Sequence, residues 1–273
     1  MESMFNGSQA TTLDLSNFDT SNVTDMSYMF DSSNVTTLDL SNFDTSNVTD
    51  MSSMFSESKA STIKGLNNIN TSKVTNMSDM FWNSKATTLD VSKFDTSNVT
   101  DMSGMFYGSN AITLNLSNFN TSNVIDMNSM FYNSKATTLD VSNFDTSKVT
   151  HMGGMFANSK ATTLDVSNFN TSNVRNMESM FNGSQATTLD LSNFDTSKVT
   201  RMTLMFNSST NLKTIYVSDK FKTDTVTDST RMFYNCTKLV GGAGTKYNSS
   251  HVEKTYARID GGTINPGYFT LKN

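Results

Sequence analysis

The sequence predicts a right-handed repeat solenoid with one short parallel β-strand and a short helical or irregular segment in each turn of 25 residues. Three observations predict it. A Met-Phe pair recurs along the chain at a nearly constant spacing, the apolar residues between successive pairs keep fixed positions, and the remaining positions are mainly small and polar. Such a polar repeat can bury enough apolar surface only by stacking on its neighbours.

The Met-Phe pairs mark the boundaries of the repeats. Of 273 residues only 36% are hydrophobic, yet the chain contains 19 Met and 19 Phe. Neighbouring pairs lie 25 residues apart, with one spacing of 26 and one of 27, and begin at Met4, Met29, Met54, Met80, Met105, Met130, Met155, Met180, Met205 and Met232. We therefore expect nine to ten units over residues 1–235 and a C-terminal cap over residues 236–273, where Gly, Pro and aromatic residues are concentrated.

The chain begins in the middle of a repeat, because residues 1–21 are identical to residues 177–197. This predicts an array that is truncated at its N-terminal end. An exposed strand edge at a truncated end favours end-to-end self-association.

Two segments of each repeat carry a periodic pattern. Leu13 and Leu15 alternate with Asp14, which is typical of a short strand with one buried face. Val23, Met26 and Phe30 are spaced three and then four residues apart, which predicts one face of a short helix. Neither segment is long enough to be stable alone, so each repeat depends on its neighbours.

The composition excludes several classes of function. A net charge of −5 disfavours nucleic acid and anionic membranes as partners, and the chain has no apolar run long enough for membrane insertion. Cys236 is the single cysteine and is expected to be a buried free thiol. His151 and His251 lie in unrelated contexts, and neither a phosphate-binding loop nor a metal-ligand spacing is present. We therefore expect no enzyme and no cofactor.

The outward strand positions form the candidate ligand-binding column. Carboxylates stacked about 5 Å apart repel each other by roughly 1 kcal/mol in water. Three interpretations remain open: hydrated carboxylates with slightly raised pKa values, calcium ions bridging neighbours, or a docked cationic partner. The candidate residues are Asp14, Asp39, Asp90, Asp140, Asp165 and Asp190, with Ser92, Ser142 and Ser167 beside them. A second column, which starts at Asp19, mixes Asp and Asn and predicts side-chain caps on a turn.

The segments Leu13–Phe30 and Leu38–Phe55 share the pattern Leu-Asp-Leu-Ser-x-Phe-Asp-Thr-Ser-x-Val-Thr-x-Met-x-x-Met-Phe. This pattern resembles the BspA-like leucine-rich repeats of bacterial surface proteins, over residues 1 to about 235. The closing residues 265–269 resemble the segment that ends such arrays. The resemblance implies a leucine-rich-repeat-like solenoid displayed outside a bacterial cell, with the signal and anchor outside this segment. Phe18 stands where ordinary leucine-rich repeats have Asn, which favours a flatter stack.

The resemblance implies a non-enzymatic adhesion module that binds host extracellular matrix, mucin or another cell-surface protein. One alternative is a structural spacer that projects another domain. Another is an ice- or crystal-surface binder that uses the exposed column Thr37, Thr88, Thr113, Thr138, Thr163 and Thr188. Variation at outward positions separates a binder from a spacer. The Asp14-type positions hardly vary, which favours a spacer or a repetitive ligand over a tailored protein epitope at this face.

Overall fold

The computed structural model describes residues 1–272, in which successive repeats stack on one another. Five short strands are formed: β1 (Thr37–Asp39), β2 (Thr62–Lys64), β3 (Thr188–Leu191), β4 (Thr214–Val217) and β5 (Phe269–Leu271). Two single-turn 3₁₀-helices span Leu66–Asn68 and Lys254–Tyr256. All strand pairs are parallel, in one sheet of order β1-β2 and another of order β3-β4-β5.

The predicted strand forms where the Leu-Asp-Leu segments pair, but not in every repeat. In β1 and β2, Leu38 lies opposite Ile63, and both side chains point inward. The same segments near Leu89, Leu114 and Leu139 have no regular strand among the described residues. The strand prediction is therefore confirmed where β1 to β4 form, and it is wrong for the first repeat at Leu13 and for the middle of the array. In the middle, neighbouring backbones are joined by fewer and longer hydrogen bonds, such as Ile112 N to Thr87 O at 3.3 Å.

The continuous backbone ladder lies elsewhere, at the residue that precedes Met26 and its equivalents. One parallel bridge at this position joins every repeat to the next. The ladder runs through Asp25, Asp50, Asn76, Asp101, Asp126, His151, Asn176, Arg201 and Asp228. Hydrogen bonds flank each bridge, for example Thr49 N to Thr24 O at 2.8 Å and Met26 N to Asp50 O at 3.0 Å.

Of the helical and irregular forms expected for the second segment, the structure has the irregular one: residues 26–33 and their equivalents form consecutive tight turns. Tyr28 and Ser32 have φ of 55° and 54°, in the left-handed region that interrupts a right-handed helix. The N–H groups of Tyr28 and Phe30 donate to the following repeat, whereas those of Met29 and Asp31 donate to the carbonyl three residues earlier and close four-residue β-turns. Overlapping turns also place residues three and four apart on one side, so the apolar spacing alone did not separate them from a helix.

The core consists of columns of identical side chains. The Phe of each Met-Phe pair is buried from Phe30 to Phe233, and neighbouring rings of this column stack with centroids 5.4–6.0 Å apart. The methionines equivalent to Met26 and Met29 fill the space beside the rings and are fully buried from Met26 onward, whereas Met1 and Met4 in the first repeat are not. Flexible thioether chains suit such a site because they adapt to irregular gaps.

A ladder of buried threonines joins successive repeats between the Leu-Asp-Leu segment and the turns. Thr20 Oγ1 donates to Asp44 O at 2.9 Å and accepts from Asp44 N at 2.8 Å. Thr45 and Thr71 make the same pair of bonds to the repeat that follows each of them. Each hydroxyl thus satisfies both polar groups of a neighbouring residue in a place where no strand pairing is available.

The C-terminal residues cover the end of the phenylalanine column. Tyr268 and Phe269 are buried and meet the ring of Phe233 edge-on at 5.2 and 5.9 Å. Cys236 is buried as expected, which raises the pKa of its thiol to about 12. These contacts are those expected of a segment that caps the last repeat. The boundaries of this cap, residues 236–273, stay a prediction.

Asp260 organises the loops of this segment. Its carboxylate accepts hydrogen bonds from Ala243 N, Thr245 N and Thr245 Oγ1 at 2.7–2.9 Å, and from Gly262 N at 2.9 Å. Burial alone would raise the pKa of Asp260, but these donors outweigh it and lower the pKa to about 2. The charged carboxylate therefore stabilises this end of the molecule above about pH 4, and its contribution is lost as the pH falls toward 2.

Candidate functional site

We call the outward side of the Leu-Asp-Leu segments the strand face, and the outward side of the turns at residues 25–32 and their equivalents the turn face. The candidate column lies on the strand face. Asp14, Asp39, Asp90, Asp140 and Asp165 are exposed, while Asp190 is half-buried and pairs with Lys272. Ser142 is exposed, and Ser92 and Ser167 are half-buried.

The carboxylates of the strand face shape their own turns. Asp14 Oδ1 accepts from Ser16 N at 3.0 Å and from Ser16 Oγ at 2.7 Å, and Asp140 binds Ser142 in the same way. Asn115 replaces Asp in one repeat and makes the same bonds to Ser117. The column is thus a set of turn-forming side chains, in which the acceptor oxygen matters and the charge does not.

The slightly raised pKa values of the first interpretation are not found at Asp14, Asp39, Asp140, Asp165 and Asp190. The side-chain and backbone hydrogen bonds from Ser16 lower the pKa of Asp14, and the equivalent serines lower those of Asp39, Asp140 and Asp165. For Asp190, burial raises the pKa, but the bonds from Lys272 and Ser192 outweigh it and lower the pKa. Donors within each repeat therefore dominate over repulsion between repeats.

Calcium at the strand face stays a prediction. Among residues 1–272, no three acidic, His or Cys side chains come together in a group that could hold a metal ion. Each Asp already directs one oxygen to its own serine. The second column behaves as predicted, since Asp19 Oδ1 accepts from Ser21 N at 3.0 Å and Asn70 Oδ1 accepts from Ser72 N at 3.0 Å.

The turn face is where the repeats differ from one another. Its backbone is fixed by bonds to the next repeat, so the side chains can change without changing the turn. At the position that follows the Met-Phe pair, the chain carries Asn6, Asp31, Ser56, Trp82, Tyr107, Tyr132, Ala157, Asn182, Asn207 and Tyr234. All of these except Ala157 reach solvent. These residues are not among the predicted ligand-binding positions, because the sequence pattern placed the outward-facing column on the strand segment.

Three of these residues form an aromatic stack on the surface. The ring centroids of Trp82 and Tyr107 are 3.7 Å apart, those of Tyr107 and Tyr132 are 4.6 Å apart, and both pairs are parallel within 3°. The rings are half-buried, so their edges contact solvent. Their occurrence in three consecutive repeats at one register position is the signal by which the sequence could have revealed the stack.

A cleft of about 280 Å³ opens beside the last ring of this stack. Gly153 and Gly154 form its floor, where earlier repeats carry residues such as Ser27 and Tyr28. The residues that line it are Asn128, Ser129, Tyr132, Gly153, Gly154, Asn176, Glu178 and Ser179. Its volume lies near the lower end of the range for small-ligand sites.

Polar groups converge over the glycine floor. A Cβ atom placed on Gly153 would lie 2.6 Å from Asn128 Oδ1 and 3.4 Å from Asn176 Nδ2, so one amide acceptor and one amide donor border the same space. Glu178 Oε2 accepts from Arg201 Nη2 at 2.6 Å, which holds its carboxylate at the rim. The cleft therefore offers donors, acceptors and one aromatic ring within a single small volume.

Asp79 stands at the other end of the aromatic stack. Its half-buried carboxyl lies beside Trp82, because a Cβ atom on Gly104 would lie 2.0 Å from Asp79 Oδ1 and 3.0 Å from the indole of Trp82. Burial, together with the charge of Asp101, raises the pKa of Asp79 to about 6. This carboxyl carries its proton more readily than any carboxylate described above on the strand face.

The stacked columns and their repeating bonds define a tandem-repeat protein. A family model described as "Mycoplasma protein of unknown function, DUF285" matches the chain three times in succession, over residues 1–62, 57–164 and 159–264. Together the matches cover almost the whole chain, and the protein belongs to this family. No curated protein and no solved structure shows significant similarity to it. Within residues 1–272, no helix is long and apolar enough to cross a membrane.

Proposed function

We propose that this protein is a non-enzymatic binding module of the BspA-like leucine-rich-repeat type, a right-handed solenoid displayed on the outside of a bacterial cell. Its partners are host extracellular matrix, mucin or other cell-surface proteins, and not nucleic acid or the membrane interior. A long stack of repeats suits this role because it builds an extended surface from many modest contacts.

One observation carries the proposal: variation between repeats is concentrated on the turn face. The strand face repeats nearly the same Asp and Ser in each unit, whereas the turn face presents Trp82, Tyr132, Glu178 and Arg201 at positions that other repeats fill with different residues. A surface that only separates two domains has no need for such differences. Aromatic and arginine side chains are also the types enriched where proteins bind partners.

The test is a binding screen with the purified chain. Immobilised mucin and extracellular-matrix proteins are probed by surface plasmon resonance, with calcium and with a chelator in separate runs. We expect saturable binding to at least one of these surfaces that does not depend on calcium. Absence of binding to every mucin, matrix and intact-cell surface would contradict the proposed function.

The near identity of the strand-face residues favours a second candidate, a spacer that projects another domain. A spacer must be stiff but needs no specific surface. Replacing the turn-face residues by those of other repeats would leave a spacer fully active, so cell attachment of such a variant separates the two candidates.

A further inference from the structure

Tyr132 ends the aromatic stack with one ring face uncovered by another ring. Its first face meets Tyr107. The next residue of the column is Ala157, whose methyl group is too small to cover a phenol ring, and Gly154 presents no side chain there. Tyr132 therefore forms one wall of the cleft described above.

The other walls are almost entirely neutral and polar. Asn128 and Asn176 border the floor on both sides, and Ser129 and Ser179 add two hydroxyl groups. Amides and hydroxyls both donate and accept hydrogen bonds, so they match a ligand whose groups also do both. The lining contains no aliphatic side chain that would hold an apolar peptide residue.

We propose that this cleft binds one pyranose ring of an uncharged saccharide. The inference rests on the proposed function and names the ligand class of the turn face. The C–H face of the sugar packs on Tyr132, whose ring face carries partial negative charge. The sugar hydroxyls bind the amides of Asn128 and Asn176 and the carboxylate of Glu178. Because Arg201 already pairs with Glu178, the two charges offset each other and the cleft matches an uncharged sugar, whereas a basic peptide side chain would compete with Arg201 for the same carboxylate.

The first test uses a panel of neutral methyl pyranosides and saturation-transfer NMR on the full chain. We expect transfer to at least one pyranoside at millimolar concentration and a shift of the Tyr132 ring resonances. Failure of every pyranoside in the panel to receive saturation would overturn the proposal. Saturation transfer to short neutral peptides instead would also overturn it.

A matched pair of variants locates the binding site. Asn176→Asp removes the amide donor, but the turn is retained, since Asp25 and Asp50 make the same bond at this position in other repeats. Asn76→Asp is the same change in the same column, four repeats earlier. We expect Asn176→Asp to weaken binding at least about tenfold and Asn76→Asp to leave it unchanged. Equal affinities for the two variants would overturn the assignment.

A second pair tests the aromatic wall. Tyr132→Ala places in this column the residue that Ala157 already supplies, so we expect it to fold and to lose binding at least about tenfold. Trp82→Ala removes the ring at the far end of the stack and should retain binding. Loss of binding in Trp82→Ala but not in Tyr132→Ala would show that the ligand binds elsewhere and would overturn the proposal.

Periodate oxidation separates this inference from the proposed function. Mucin binding that disappears after the glycans are oxidised supports both. Mucin binding that survives oxidation keeps the proposed function and overturns the saccharide site. Binding of a methyl pyranoside without binding to any mucin, matrix or cell surface keeps the saccharide site and overturns the proposed function.

Discussion

The strand face and the turn face belong to the same 25-residue unit, yet the two faces tolerate different side-chain changes. On the strand face, the side chain of Asp14 itself forms the turn by accepting from Ser16, so only Asp or Asn serves in an unaltered repeat. On the turn face, Asp25 accepts a similar bond from Ser27 N, but Tyr28 N also bonds to Ser52 O whatever side chain it carries. The backbone ladder continues through His151 and Arg201, which replace the Asp. The added backbone bonds to the next repeat therefore let the turn face change its side chains more freely than the strand face.

The largest expected effect concerns the core behind the two faces. Phe106→Ala removes a ring that stacks on both neighbours, and we expect a loss of about 3–5 kcal/mol in the free energy of unfolding. Leu114→Ala behind the strand face should cost less, near the lower end of about 2–5 kcal/mol, because Leu114 is slightly exposed and its segment lacks strand pairing. Urea denaturation measures both. A larger loss for Leu114→Ala would reverse this ranking of the two faces.

The next effect concerns the corner that joins the faces. Thr121 is buried, and its hydroxyl donates to Asp145 O at 2.9 Å. Thr121→Val removes the partner of this partly buried carbonyl, and we expect a loss of about 1 kcal/mol in the free energy of unfolding. Thr121→Ser keeps the hydroxyl and should recover much of this loss. Thr138→Val, at an exposed threonine, is the control. Thermal unfolding measures all three variants, and midpoints equal to that of the unaltered protein for all three would contradict the role of the threonine ladder.

A smaller expected effect is a pH-dependent change in stability that occurs on the turn face and not on the strand face. The pKa of Asp79, raised from 3.8 to about 6, means that its charged form opposes folding. This cost grows as the pH rises from about 4 to about 6 and is fully present above that range. Asp79→Asn should therefore raise the midpoint of thermal unfolding by a few degrees at pH 7.5 and leave it unchanged below about pH 4. A gain that does not depend on pH would show that the carboxyl is not the cause.

The same substitution on the strand face should do almost nothing. Asp140→Asn keeps the acceptor for Ser142, as Asn115 does for Ser117, so we expect a change below about 0.5 kcal/mol at pH 7. Because Ser142 lowers the pKa of Asp140, any small contribution of the charge lies above about pH 4 and disappears as the pH falls. Strong destabilisation in the presence of calcium, compared by denaturation with and without a chelator, would show instead that the column binds this ion.

The repeat and its apolar columns could be predicted from the sequence because Leu, Met and Phe recur in fixed register. The turn preceding Thr-Ser was also predictable, since Asp19 and Asn70 interchange there. The spacing of the apolar residues did not distinguish a helix from consecutive turns, because both structures bring Met26 and Phe30 to one side. The cleft could not be predicted, since it depends on Gly153 and Asn176 from successive repeats meeting beside Tyr132.

Binding to mucin by two triple variants tests most directly whether the turn face carries the function. The turn-face variant takes residues of other repeats and carries Gly153→Ser, Asn176→Asp and Glu178→Ser. The strand-face variant loses three charges and carries Asp90→Asn, Asp140→Asn and Asp165→Asn. We predict that surface plasmon resonance shows at least about tenfold weaker binding for the turn-face variant and unchanged binding for the strand-face variant. Retained binding in the turn-face variant, with loss in the strand-face variant, would contradict this account.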